Sequence, residues 1–397
     1  MHKPMKFNQF AIIIMLFTIT ILACSISIST TTPPSTSAPA TTPSQATAAP
    51  IGPAAVPTTS NSNPTGSSLP SASSGNSTAI SASNYHSLAQ LHQWNVESDT
   101  VNMYGIALSP HADKVALITL RSPELYSVEL HSTQDGTLIW KEDLGDKAAY
   151  PAIAFSPNGS LIAVGLDNGN IIIYNSSDGS MVQTFTGNQY SVRKVAFSPD
   201  GTLIASGSSD NTARVWQVSN GMSLGVHESV TDVRDISFSP DSKALAMTTN
   251  YINVYDATSD SNDHTVFYDT TGDTRNMGQV AFTPDGSYLI GEGNWFNTAT
   301  QQWRFRMFVW DFPFNTSTPI EVPLTDNVED LAISPDERLA LCDYADKGQL
   351  LVISIGKHEI VGTVDLGPKL YMAYSQDMST FAIISSKTTV NIWGVPQ

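Results

Sequence analysis

From about residue 86 to the C-terminus, short apolar runs alternate with clusters of Gly, Asp, Asn and Ser. The stretch 195–216, "VAFSPDGTLIASGSSDNTARVW", shows the pattern most clearly. Its apolar runs are too short for helices, and no part of the region has a convincing helical period, so they predict strands. Between two of them sits Ser198-Pro199-Asp200-Gly201. Ser at the first, Pro at the second and Gly at the fourth position suit a type I turn. Pro presets φ, Asp bonds the local backbone, and Gly accepts a positive φ. "KVAF" and "TLIASGS" thus become an antiparallel hairpin, and "ARVWQV" a third strand after the turn "SSDNT". A run such as "MVQTFT" supplies a fourth, outer strand.

The anchor recurs as "ALSPHAD" (Pro110), "AFSPNGS" (Pro157), "AFSPDGT" (Pro199), "SFSPDSK" (Pro240), "AFTPDGS" (Pro284), "AISPDER" (Pro335) and "AYSQDMS" (Gln376). The intervals are 47, 42, 41, 44, 51 and 41 residues, which makes seven units of about four strands. Tyr174, Trp216 and Trp393 each stand 17 residues after their anchor. "FSPDG" followed by "ASGSSDNTARVW" resembles the WD-repeat family of β-propellers, and Val309-Trp310-Asp311 repeats its signature. The resemblance covers about 86–397 and implies an all-β, seven-bladed propeller. The third unit departs from the family where a Gly-His pair is expected: it has Gly187-Asn188. The hydrogen-bonded tetrad is therefore incomplete there, although Ser206, Asp210 and Trp216 match its other members. The last unit holds three strands before the chain stops. Its outer strand must come from "LAQLHQWNV" (88–96), so that both termini close one blade and no edge is left open. Leu88, Leu91 and Trp94 recur every third residue, which does not suit a regular strand.

The pattern before residue 86 is different. Residues 1–23 read as a signal peptide: His2, Lys3 and Lys6, then the 13-residue apolar core Ala11–Ala23. It ends in "ILAC", similar to the lipobox of bacterial lipoproteins. That resemblance implies lipidation of Cys24 and a membrane anchor of two or three acyl chains. The competing reading is an uncleaved anchor running to about Ile28; both place the remainder outside the cytoplasm, facing the periplasm or the extracellular space. Residues 24–85 are rich in Ser, Thr and Pro and carry no charge. Such a segment buries too little to offset its ordering entropy, so it is expected to be a disordered tether. A coil of about 60 residues would reach roughly 45 Å.

Charge and chemistry narrow the function. All 36 acidic residues lie at or after Glu97, against 17 basic residues in the same region. A field of that sign repels phosphate backbones, so nucleic acid is excluded as a partner. Cys24 and Cys342 are the only cysteines, so no disulfide framework holds the fold. Cys342, in "LALCDY", reads as a buried strand residue rather than a nucleophile. The eight histidines show no metal-ligand spacing, and no hydrolase, phosphate-loop or dinucleotide motif occurs. No catalytic, metal or cofactor residue is therefore assigned. Asp256, Asp260, Asp263, Asp269 and Asp273 could offer oxygen ligands to calcium, but without an EF-hand register they read as a solvated loop.

The fifth unit carries an insertion, "GEGNWFNTATQQWRFRM", that puts 26 residues between anchor and Trp310. For Trp303 and Phe305 the expectation is a lengthened third strand with its aromatics in the core. Trp295 and Phe296, beside Gly291, Gly293 and Asn294, read equally as core residues or as a loop contacting a partner, and are the candidate partner contacts. The expected function is a non-enzymatic platform for protein or peptide partners. Two alternatives stand beside it. One is an enzyme or sugar or small-ligand binder working in the central channel, which needs polar side chains from several blades at one place. The other is a calcium-dependent surface module.

Overall fold

The computed structural model describes residues 79–96, 101–121, 125–145, 148–259, 261, 264–267, 274–297, 302–312, 320–324, 328–336, 338–344, 348–369 and 371–396. Cys24 and the segments expected to be a signal peptide and a tether, up to residue 78, lie outside them. A short 3₁₀ turn, Tyr85–Ser87, leads into β1 (Ala89–Asn95). Blade one is β2 (Val101–Leu108), β3 (Lys114–Arg121), β4 (Leu125–Ser132) and β5 (Leu138–Asp143). Blade two is β6 (Ala148–Phe155), β7 (Leu161–Leu166), β8 (Ile171–Asn175) and β9 (Met181–Phe185). Blade three is β10 (Val192–Phe197), β11 (Leu203–Ser208), β12 (Thr212–Gln217) and β13 (Ser223–Glu228). Blade four is β14 (Ile236–Phe238), β15 (Ala244–Thr248), β16 (Ile252–Asp256) and β17 (His264–Phe267). Blade five is β18 (Thr274–Phe282), β19 (Tyr288–Asn297), β20 (Gln302–Asp311) and β21 (Ile320–Leu324). Blade six is β22 (Val328–Ile333), β23 (Leu339–Tyr344), β24 (Gln349–Ser354) and β25 (Glu359–Asp365). Blade seven is β26 (Tyr371–Tyr374), β27 (Thr380–Ile384) and β28 (Thr389–Gly394), completed by β1. All seven sheets are antiparallel, and the protein is a seven-bladed β-propeller.

The recurring anchor works as the turn that its residues imply. In blade three, Gly201 N–H donates to Ser198 O at 2.8 Å, and Ser198 Oγ donates to Asp200 Oδ1 at 2.6 Å while accepting from Leu203 N at 2.9 Å. The same Ser–Asp or Thr–Asp bond closes the turns at Ser239, Thr283, Ser334 and Ser375. Gly201 has φ of 71°, and Ala112, Ser242 and Met378 hold that left-handed conformation in units that lack the glycine.

The core is distributed. Each of seven apolar clusters lies between two adjacent blades. Phe185 of blade two, for example, meets Trp216 of blade three with ring centroids 5.8 Å apart. No blade could bury its faces alone, so ring closure completes the core. Closure uses β1 as expected: it pairs with β28, Asn95 opposite Thr389. The odd spacing of Leu91 and Trp94 is a bulge between Gln90 and His92, which leaves Leu91 outside the ladder and half-exposed while Trp94 is buried. The described residues include 79–85, ahead of the expected start of the propeller at 86. Ile80 is fully buried, its N–H donates to Met378 O, and Tyr85 Oη donates to Val361 O, so two apolar anchors strap this segment across blades six and seven.

Asn188 stands in for the missing histidine of blade three. It is buried, accepts from Ser206 Oγ at 3.2 Å and donates to Gly169 O at 3.2 Å. Asp210 caps the neighbouring turn, accepting from Gln189 N at 2.8 Å.

Candidate functional site

The inner strands of the blades surround a central channel of about 900 Å³. Several of these strands carry bulges: at Met103–Gly105, Ala148–Ile153, Val192–Lys194, Met277–Val280 and Val328–Leu331. A bulge takes groups out of the ladder and re-aims side chains. The channel's lining is mixed, with its charged side chains confined to blades three to six and apolar residues such as Phe197 and Leu331 also present there. Blades seven, one and two line it with Tyr371, Ala373, Ile106, Leu108, Ile153 and Phe155. Blades three to six line it with Arg193, Lys194, Arg234, Asp235, Gln279, Glu292, Asn294 and Asp330.

The polar side is held by bonds that cross blades. Lys194 Nζ lies 3.1 Å from Asp235 Oδ1, and Val280 N–H donates to Asp235 Oδ2 at 2.9 Å, so one carboxylate ties blades three, four and five. Asp235 raises the Lys194 pKa against the opposing effect of burial, keeping the ammonium charged. Arg193 is paired with Asp232 at 3.0 Å, and Arg234 approaches the same carboxylate at 4.0 Å. Glu292 is the outlier. Its residue is 1 % exposed. Gln279 N–H, freed from the ladder by the bulge, donates to Oε1 at 3.1 Å, but Oε2 has no hydrogen-bond partner among the described residues. Burial pushes its pKa up to about 8 against the pull of the Gln279 and Val328 amides, and Asp235 adds to the rise. The Tyr374 hydroxyl, on the wall of blade seven, likewise has no partner among the described residues.

Glu292 stands eight residues after its anchor proline, where the other units have Ile118, Gly165, Gly207, Thr248, Asp343 and Ile384. In blades two and three the next blade closes this position: a Cβ on Gly165 would meet Val192 Cγ1 at 2.6 Å, and one on Gly207 would meet Val233 Cγ1 at 2.8 Å. In blade five the space is filled by a carboxyl, and Gly278 lies opposite it, where a Cβ would require the Glu292 carboxyl to shift. Sequence reasoning missed this residue, since one carboxylate in an acid-rich chain carries no signal. Stacking the seven units by anchor is the operation that exposes it.

The insertion in blade five forms the longest hairpin of the molecule among the described residues, ten residues in each of β19 and β20, paired from Tyr288 opposite Asp311 to Asn297 opposite Gln302. Trp295 and Phe296 therefore lie in a strand, not a loop, opposite Arg304 and Trp303. The expectation that Trp303 enters the core is overturned: Trp303 is 56 % exposed and Phe305 only half-buried. The reason is coverage. Among the described residues β21 pairs only with Phe305–Val309, so Gln302, Trp303 and Arg304 lie beyond the described outer strand, and burial begins only at Met307.

Other candidates fall into place around these two features. Cys342 is fully buried on β23 between blades five and six, and burial, with Glu292 nearby, raises its thiol pKa far from the thiolate range. Asp256 caps its own turn, accepting from Thr258 N at 2.8 Å, whereas Asp260, Asp263, Asp269 and Asp273 lie outside the described residues. Among the described residues, no group of three or more His, Cys, Asp or Glu could hold a metal ion. Blade one holds a buried network that composition did not reveal. Glu129 accepts from Arg121 Nη2 at 2.8 Å and Thr119 Oγ1 at 3.1 Å, and His131 Nε2 lies 3.1 Å from its other oxygen. Burial alone would raise the Glu129 pKa, but the bonds to His131 and Arg121 outweigh it and hold the carboxyl at about 2. Trp94 of β1 stacks on His131 at 5.1 Å, so this network lies under the closing strand.

Comparison with known proteins agrees with this architecture. The family model of the WD domain, G-beta repeat, matches residues 179–217, and that of the anaphase-promoting complex subunit 4 WD40 domain matches residues 106–191. No match to a curated protein was found. A solved structure of Kuenenia stuttgartiensis hydrazine synthase is similar with a TM-score of 0.59 and 14 % identity, covering 72 % of this chain and 94 % of that chain. At that identity the likeness concerns the fold alone. With seven four-stranded blades closed by an N-terminal strand, the chain is a seven-bladed β-propeller, and its blades one to three are similar to the WD40-repeat models.

Proposed function

We propose that the protein is a non-enzymatic binding platform for a protein or peptide partner, presented outside the cytoplasm on a membrane-anchored tether. WD40 domains generally bind proteins, and the observation that carries the reading here is the β19–β20 hairpin. It extends past its own described outer strand and ends in Trp303 and Arg304, the side-chain types that dominate binding hot spots. Trp295 and Phe296 occupy the facing strand at the same end and belong to the proposed contact surface. Trp303→Ala is expected to cut recovery of the partner in proximity labelling in the native cell while leaving the melting temperature within a degree or two, because an exposed tip contributes little to the core. Unchanged recovery would remove the hairpin from the contact surface.

The anchor half of the proposal rests on the lipobox-like "ILAC" and the uncharged Ser/Thr/Pro-rich segment that follows. Intact mass of the membrane-extracted protein is expected to begin at Cys24 and to include the added acyl chains. A mass that retains residues 1–23 would contradict lipidation and favour the uncleaved anchor.

A further inference from the structure

We propose that the central channel binds a small organic cation, its ammonium received by Glu292 and its apolar body lying against the Ile153 and Phe155 side. Two independent observations support this. The first is the channel's mixed lining: its charged side chains all come from blades three to six, while Ile106, Leu108, Ile153 and Phe155 of blades one and two, with Phe197 and Leu331, supply apolar surface around about 900 Å³, a volume suited to a small amphipathic molecule. The second is the incomplete hydrogen bonding of Glu292, whose side chain is buried, lines the channel and leaves Oε2 without a donor among the described residues. A buried acceptor left unpaired is costly, and a ligand that supplies a charged N–H removes that cost.

Charge balance selects a cation over an anion. On the polar wall and directly behind it, three cations (Arg193, Lys194, Arg234) face three carboxylates (Asp232, Asp235, Asp330). Once Glu292 ionises, it is the excess charge. The groups that face it from the packed elements are Arg234 and Asp235 just before β14, Asp330 on β22, Cys342 on β23, and Lys194 through Asp235. Tyr374 of β26 faces Asp330, and burial raises its hydroxyl pKa well above the ordinary value, so it stays a donor. Without ligand, burial keeps Glu292 protonated at neutral pH, its pKa lying at about 8. Binding of an alkylammonium ion therefore releases that proton to solvent and replaces it with the ligand's positive charge. Affinity then scales with the ionised fraction of Glu292.

The test uses phenethylamine, with phenethyl alcohol as its neutral isostere, titrated calorimetrically into the full chain at pH 6.5 and pH 8.5. The amine remains charged at both values. The expected result is that the amine binds about tenfold or more tightly at pH 8.5 than at pH 6.5, with proton release, and that the alcohol does not bind. Glu292→Gln keeps the shape and the Gln279 bond but is expected to lose the pH dependence and to bind the amine on the order of tenfold more weakly at pH 8.5. The comparison of amine with alcohol on the unaltered protein decides the question even if that variant fails to fold. No amine binding at millimolar concentration, amine binding that does not change with pH, or alcohol binding favoured at low pH would each overturn the proposal. The last would show Glu292 acting as a protonated donor instead.

Discussion

At the scale of single residues, two buried glutamates behave oppositely, and the difference lies in their partners. Glu129 and Glu292 are both nearly inaccessible to solvent. Glu129 is surrounded by Arg121, His131, Lys141 and Thr119, and its pKa falls to about 2. Glu292 has one backbone N–H, that of Gln279, and a neighbouring carboxylate, and burial raises its pKa to about 8. The consequences for stability follow by linkage. A carboxyl depressed in the folded state contributes stability above its ordinary pKa and loses it as pH falls through the folded value. Glu129 should therefore add up to about 3 kcal/mol at neutral pH, lost between about pH 4.5 and pH 2. Urea unfolding midpoints from pH 5 to pH 2.5 are expected to fall less steeply for Glu129→Gln than for the unaltered chain. Parallel curves would show that the network does not set the acid limb.

At the scale of elements, the closing strand matters more than its length suggests. β1 supplies the outer edge of blade seven, and Trp94 seals the interface with blade one by stacking on His131 and packing over Gly136. Because each blade buries its faces only against neighbours, a loss here opens two blades rather than one. Trp94→Ala is expected to cost about 3–5 kcal/mol and to lower the denaturation midpoint of the whole propeller in one transition. A local change that leaves the global midpoint in place would contradict closure through β1. The strand's existence was legible before the structure, because the last unit lacked one and 88–96 preceded the first. Its register was not, because a bulge at Leu91 breaks the period that sequence reading relies on. The lengthened third strand of blade five is as expected, but the exposure of Trp303 was misread for a related reason. The hairpin's alternation fits a strand, but where the covering strand β21 ends is a tertiary fact, and that decides whether Trp303 is core or surface.

At the scale of the whole molecule, regularity and function separate. The anchor turns, the aromatics 17 residues on in three of the units and the apolar runs were visible in the sequence because the same backbone geometry recurs seven times and calls for similar residues each time. The channel was not visible, since its polar side assembles one to three residues from each of four blades. What distinguishes this propeller lies where blade five departs from the other units, and β19 carries both departures: Glu292 in the channel wall and the strand beyond it that forms the hairpin end. The central claim is that this hairpin holds the partner. Partner recovery by proximity labelling, with Trp303→Ala compared to the unaltered chain and both melting temperatures measured in parallel, tests it most directly. The account predicts lost recovery at an unchanged melting temperature; full recovery by the variant would contradict it.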